Sequence, residues 1–201
     1  MGMSFWLSIN LINCRLAGSI EQIQAGEELG EMLPACYSVL QLETEEDCLM
    51  SDLLVIQLSM REIEERAEEF IEMIAPLSEE ELWFSDEVVI NSIGTLTRHM
   101  TGNFNHFFGA GFLKNGYVRD REAEFSGKNM PKAQVISDFQ AAVTVARQAA
   151  AAIYEADVNQ PYRTPCERDF DSLGYHVLRL VTHFAHHHGQ VSYAVRYVTQ
   201  G

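Results

Sequence analysis

Cations are scarce in this chain of 201 residues: Lys and Arg number 14 against 29 Asp and Glu, a formal balance of -15. Wrapping a phosphate backbone needs surplus cations, so general nucleic-acid binding is disfavoured. Long hydrophobic runs are missing too. No apolar stretch approaches the roughly 18 residues that would span a bilayer. The moderately apolar segment Phe5 to Leu16 has no Lys or Arg before it and is interrupted by Arg15, unlike a secretory leader. A cytoplasmic protein with no membrane partner is expected. Cysteine is sparse: Cys14, Cys36, Cys48 and Cys166 form no CxxC pair. Neither a disulfide framework nor a thiolate zinc site is indicated, and reduced thiols are the default. No Walker-type loop, GxGxxG or GxSxG stands in the sequence, so phosphate cradling and nucleophile-elbow hydrolysis have no support.

Apolar residues make up 47% and charged residues 21%, enough to bury a core within one domain. Leu53, Ile56, Met60, Ile63, Ala67, Phe70 and Ile74 recur at helical spacing, with Glu62, Glu65, Glu68, Glu69 and Glu72 on other faces as a solvated acidic side. This first helix ends before Pro76. A polar connector, Ser78 to Glu87, leads to a second helix from about Val88 to Leu113, with Ile93, Leu96, Met100, Phe104 and Phe107 inward. Residues Lys114 to Met130 read as a long linker, more than a helix hairpin needs, so the chain is expected to cross the bundle there. Pro131 opens a third helix carrying Val135, Phe139, Val143, Ala146, Ala149 and Ile153. An irregular segment, Asp157 to Asp171, precedes a last helix from about Ser172 to Thr199, striped by Val177, Val181, Phe184, Val191 and Val195. With no βαβ alternation or period-2 strand set, the expected class is all-α, a four-helix bundle with a long crossover between helices two and three.

Residues 1–49 fit less well, with one cation and eight acids, a balance of -7. They are expected to be an N-terminal extension outside a bundle of residues 50–201. Two readings stay open: a start upstream of the one the cell uses, and a short packed helix around Ile20 to Leu33.

The seven histidines are concentrated. His99 and His106 lie on the second helix, and His176, His183, His186, His187 and His188 on the fourth. Each helical residue advances about 100°, so His183 and His187 share a face one turn apart and can aim at a common atom. In a bundle the middle of the second helix can oppose them and supply His99. Three neutral imidazoles around a divalent ion, with positions left open, form a catalytic rather than a closed structural arrangement. His186 and His188 project away and are expected at the surface or a subunit contact. His106 and His176 each lie seven residues from a proposed ligand and could line the pocket. Asn103 and Gln190 are placed to orient an imidazole or a bound water.

Two sharper metal motifs fail on the letters. A metalloprotease HExxH needs Glu after its first His, where Phe184 follows His183. A ferritin-like site needs Glu three residues before its histidines, where Leu96, Leu180 and Phe184 precede His99, His183 and His187.

The segments LTRHMTGNFNHFF and HFAHHHGQVSYAVRY together resemble the DinB-like superfamily of metal-binding four-helix bundles. The resemblance rests on a His in helix two and a C-terminal H-x-x-x-H-x-G-Q pattern, here His183, His187, Gly189 and Gln190. It covers about Met50 to the end. RDREAEF, Arg119 to Phe125, is similar to a linker segment in one uncharacterised branch. The resemblance implies a homodimer holding a divalent metal, zinc first with nickel or iron as alternatives, on His99, His183 and His187. It further implies activities such as bacillithiol-type thiol transfer or mycothiol-dependent isomerisation of maleylpyruvate.

The expected function is therefore metal-dependent transfer of a low-molecular-weight thiol to an electrophilic small molecule. A metal favours the thiolate without a protein base, and no catalytic residue beyond the ligands is assigned. Arg119, Arg121 or Arg196 are the cations available for carboxylates of the thiol. Two alternatives stand beside it: a hydrolase whose metal activates water with Glu122 or Asp169 as base, and a metal-binding stress-response protein without turnover.

Overall fold

The computed structural model describes residues 45–126, 130–153 and 158–200, with side chains from residue 53 onward. The chain divides after Asp47, and the fold below is that of the following unit. The expected extension, the helix around Ile20 to Leu33, and Cys14 and Cys36 lie outside the described residues, as does the side chain of Cys48.

Six helices follow in order: α1 (Glu45–Ile74), α2 (Glu79–Trp83), α3 (Ile93–Phe104), α4 (Arg121–Ser126), α5 (Lys132–Ile153) and α6 (Leu173–Gln200). A π-helical stretch, Asn105–Leu113, continues α3, and a two-residue hairpin pairs β1 (Tyr162–Arg163) with β2 (Asp169–Phe170). The architecture is the expected all-α four-helix bundle, with α1, α3 plus its π extension, α5 and α6 as the long members. None of the described helices is long and apolar enough to cross a membrane.

Several boundaries that depart from the periodicity have a local cause. The first helix begins at Glu45, upstream of the first apolar stripe residue, Leu53. The second helix starts at Ile93 rather than Val88, because Asp86 accepts the backbone N–H groups of Val88 and Val89 in a turn and Ser92 caps the helix through Thr95 N at 3.1 Å. The connector holds α2, started by a capping box in which Ser78 and Glu81 satisfy each other's backbone N–H. The supposed linker holds α4, whose first turn is capped by Asp120 accepting from Ala123 N at 2.9 Å.

Directions follow from what the helix ends touch. Lys132 at the start of α5 donates to the carbonyl of Ala75 after α1, while Ile153 at its end packs with Ile56, so α1 and α5 are antiparallel. The starts of α3 and α5 both meet α2: Gly94 lies against the Trp83 ring, and Lys132 N donates to Glu79 at 2.8 Å. These two consecutive long helices are therefore parallel, and the chain must return along the bundle between them. The stretch from α3 through its extension is roughly 30 Å long at 1.5 Å per residue. The 18 residues from Lys114 to Pro131 can extend to roughly 60 Å, enough to make the return and fold α4 on the way. Tyr197 near the end of α6 donates to Asp86 at 2.9 Å, which sets α6 antiparallel to α3.

The core is centred on one phenylalanine from each long helix: Phe70, Phe104, Phe139 and Phe184, all fully buried. Their ring centroids lie 5.0 to 6.1 Å apart in the Phe70–Phe139, Phe70–Phe184, Phe104–Phe184, Phe139–Phe184 and Phe104–Phe139 pairs. Burying each ring stabilises the fold by roughly 2 to 3 kcal/mol. Phe184 directly follows His183, so this layer also fixes the height and rotation of α6 at the histidines.

Candidate metal centre

The antiparallel register of α3 and α6 brings His99 opposite His183 and His187. Ring centroids are 5.4 Å from His99 to His183, 4.9 Å from His99 to His187, and 4.6 Å between the two α6 rings. One nitrogen from each lies within 4.8 Å of the other two. The Nε2 atoms of His183 and His187 are 3.1 Å apart. Around a tetrahedral zinc with Zn–N of about 2.0 to 2.1 Å, two ligand nitrogens would stand about 3.3 Å apart. The pair is thus already spaced for a shared ion. His99 is 3% exposed, while His183 and His187 are half-buried, so the group is closed behind and open toward one side of the bundle.

The triad's surroundings differ ring by ring. His187 donates Nδ1–H to Gln190 Oε1 at 2.7 Å. Gln190 stands one turn on along α6, as its spacing suggested. Asn103 Oδ1, by contrast, is buried without a hydrogen-bond partner among the described residues. His183 Nδ1 is likewise buried and unpartnered among the described residues. The partner of His99 comes from the crossover. Glu124 on α4, 6% exposed, accepts from His99 Nδ1 at 2.9 Å. Arg119 holds the same carboxylate bidentately, Nε to Oε1 at 2.6 Å and Nη2 to Oε2 at 2.8 Å.

This approach depends on Gly102. A Cβ built there would overlap the Glu124 carboxylate, so the helix surface must be bare at that point for α4 to dock. Phe125 then packs its ring 5.0 Å from His99, with Arg121 over the Phe125 ring at 5.4 Å.

Electrostatics keep the two α6 rings neutral. Burial, followed by the nearby charges of His187, His99 and Arg119, pushes the His183 pKa down to about 4. Burial also lowers that of His187, partly offset by the bond to Gln190. For Glu124, burial pushes the carboxyl up, but the hydrogen bonds from His99 and Arg119 outweigh it and hold the pKa below its usual value. Near pH 7 His183 and His187 present imidazole lone pairs, and the Glu124 carboxylate stays ionised.

The other residues singled out by sequence lie as follows. His106 is half-buried on the π stretch, its Nδ1 unpartnered. His176 is 2% exposed and enclosed by rings of Phe107, Phe112, Tyr162 and Phe170 at 4.5 to 6.0 Å. These rings enclose it beneath the hairpin, two turns along α6 from His183. His186 is exposed as expected. His188 is half-buried instead, against Phe70 and Phe184, with Nε2 3.3 Å from Glu69 Oε2, near enough for charge attraction but not aligned as a hydrogen bond. Of the candidate cations, Arg119 is committed to Glu124, while Arg121 and Arg196 are exposed. Glu122 sits on the exposed side of α4, and Asp169 on β2 pairs with Arg163 at 3.8 Å. Cys166 at the hairpin tip is free and exposed.

A helical bundle with an open cluster of three histidines is the class that fold and geometry define. The chain belongs to the family described as Protein of unknown function (DUF1572), which it matches over residues 53–201. No curated protein and no solved structure matches it.

Proposed function

We propose that the protein is a divalent-metal enzyme of the DinB-like type, which transfers a small thiol to an electrophilic small molecule. The observation that carries this reading is the convergence of His99, His183 and His187 on a point closed from within and open on one side. The donor set fits a borderline cation such as zinc, with nickel or iron as alternatives, because imidazole suits all three. Three protein donors leave a coordination position for a ligand from outside. A bound ion would supply positive charge that favours the thiolate form of an incoming thiol.

The protein's own residues account for the rest. Gln190 holds the His187 ring, and the Phe184 layer holds α6 at the height that faces His99. Glu124 and Arg119 cancel each other's charge beside the triad, so the net charge at the loaded centre would come from the cation, and an anionic ligand such as a thiolate is favoured there. Hydrolysis needs a free base to take a proton from water. The carboxylate that reaches the triad is Glu124, which is bound by both Arg119 and His99 and held ionised. Arg121, exposed above Phe125, is the cation placed to meet a carboxylate on the thiol.

The test is an assay of the zinc-loaded protein with a generic electrophile, run with and without added low-molecular-weight thiols. Metal-dependent consumption of both thiol and electrophile is the expected result. Metal-dependent product formed equally without thiol would instead establish water attack, and tight metal binding without either reaction would establish a binding protein.

A further inference from the structure

Resting on that reading of the triad, we infer that Glu124 is the positioning residue of the centre: it fixes the proton of His99 on Nδ1 and so turns the Nε2 lone pair toward the metal position. A neutral imidazole carries one N–H and one lone pair, and which nitrogen has which is set by the hydrogen bond the ring makes. Arg119 donates to both oxygens of Glu124, which leaves the carboxylate only to accept from the ring, so its 2.9 Å bond to Nδ1 requires the proton to be there. Arg119 Nη2 stands 3.3 Å from the same nitrogen, but it is also a donor and directs its hydrogens to the carboxylate.

Three separate features converge on this contact. Arg119 fixes the carboxylate plane through two bonds. Gly102 leaves the space the carboxylate occupies. The Asp120 cap starts α4 so that position 124 falls on the His99 side. A helix placed in the crossover solely to cover apolar surface would need none of them. A buried carboxylate beside a ligand imidazole makes that ring a stronger donor, and removing such a partner typically lowers metal affinity about 10- to 100-fold.

Glutamine cannot replace the carboxylate. Its amide offers one acceptor oxygen and a donor NH2, while His99 and Arg119 together present three hydrogens to two acceptor positions. Glu124→Gln is therefore expected to release the His99 proton toward Nε2. Long-range proton–nitrogen correlation spectra of the metal-free protein read this directly. The wild type should show His99 protonated on Nδ1, Glu124→Gln should show a shift toward Nε2, and Glu124→Asp, which keeps the charge, should restore much of the wild-type pattern. Gly102→Ala, which displaces the carboxylate without removing it, should mimic Glu124→Gln. Zinc affinity, measured by competition with a chromophoric chelator, should fall about 10- to 100-fold in Glu124→Gln. A wild-type His99 protonated on Nε2, or a Glu124→Gln protein that keeps Nδ1–H, would overturn the inference. If the wild type takes up no zinc, the metal reading fails, and the metal-free spectra still decide the role of Glu124.

Discussion

His183 and His176 lie seven residues apart on the same helix, one facing α3 and the other its π-helical extension, yet their surroundings are opposite. Near the middle of α6 the imidazoles meet one another, an amide and, through His99, a carboxylate held by arginine. Near its N-terminal end His176 meets aromatic rings, with both nitrogens buried and unpartnered among the described residues. Both regions hold neutral histidine near pH 7, since burial depresses His176 and His183 alike to about 4. The difference is direction. Hydrogen-bond acceptors decide which nitrogen of His99 and His187 offers its lone pair, whereas an aromatic enclosure leaves His176 without a defined donor face. Histidine content alone does not make a metal site; the partners of the second nitrogen do.

The contrast can be broken most forcefully by truncation. His99→Ala should lower zinc affinity more than about 100-fold, as expected for loss of one of three ligands, while His176→Ala should leave it within about twofold. Titration against a competing chelator measures both, and equal losses would erase the distinction. A gentler cut is Gln190→Leu, which removes the acceptor from His187 and should weaken zinc about tenfold without disturbing the Phe184 layer. Unchanged affinity would show that the amide bond to His187 is incidental.

At the other end, Tyr162→Ala removes the ring stacked 5.1 Å over His176. Water then reaches the imidazole, and its pKa should climb from about 4 toward the ordinary 6.5. An NMR titration following His176 reads this, and a value that stays near 4 would mean the hairpin does not seal the ring. The smallest effect expected is on stability. The His176 pKa is lowered by burial first and then by Arg168 and Arg179, so the unfolded chain takes up the proton before the folded one does. The associated stability is complete above about 6.5 and is lost as pH falls from there toward 4. His176→Leu should therefore flatten the acid side of a Tm-against-pH profile between those values. A profile parallel to the wild type would contradict the enclosure's effect.

Much of the triad was legible in the letters, because helical spacing fixes which residues share a face: four residues separate His183 from His187, and bundle register brings His99 across. The stripes of α5 and α6 gave their extents to within about two residues. Glu124 was not legible as a site residue. A carboxylate in a charged, polar segment ordinarily stays in water. Its burial depends on Arg119 five residues earlier and on Gly102 in another helix, a coincidence no periodicity encodes. A weaker signal was present: Asp120 followed by an acid-rich first turn is a helix start. The same holds for Ser78 with Glu81 and for Ser92 before Ile93, capping signals that apolar periodicity overrode. The π-helical stretch after Phe104 has no comparable local signature, and it matters because it carries Phe107 and Phe112 onto His176.

The central claim is that three imidazoles share one ion, and metal analysis of the protein purified without added metal or chelator tests it most directly. The account predicts about one divalent ion per chain in the wild type and next to none when His99, His183 and His187 are all replaced by alanine. A folded wild type that carries no metal and binds zinc no more tightly than the triple variant would contradict it.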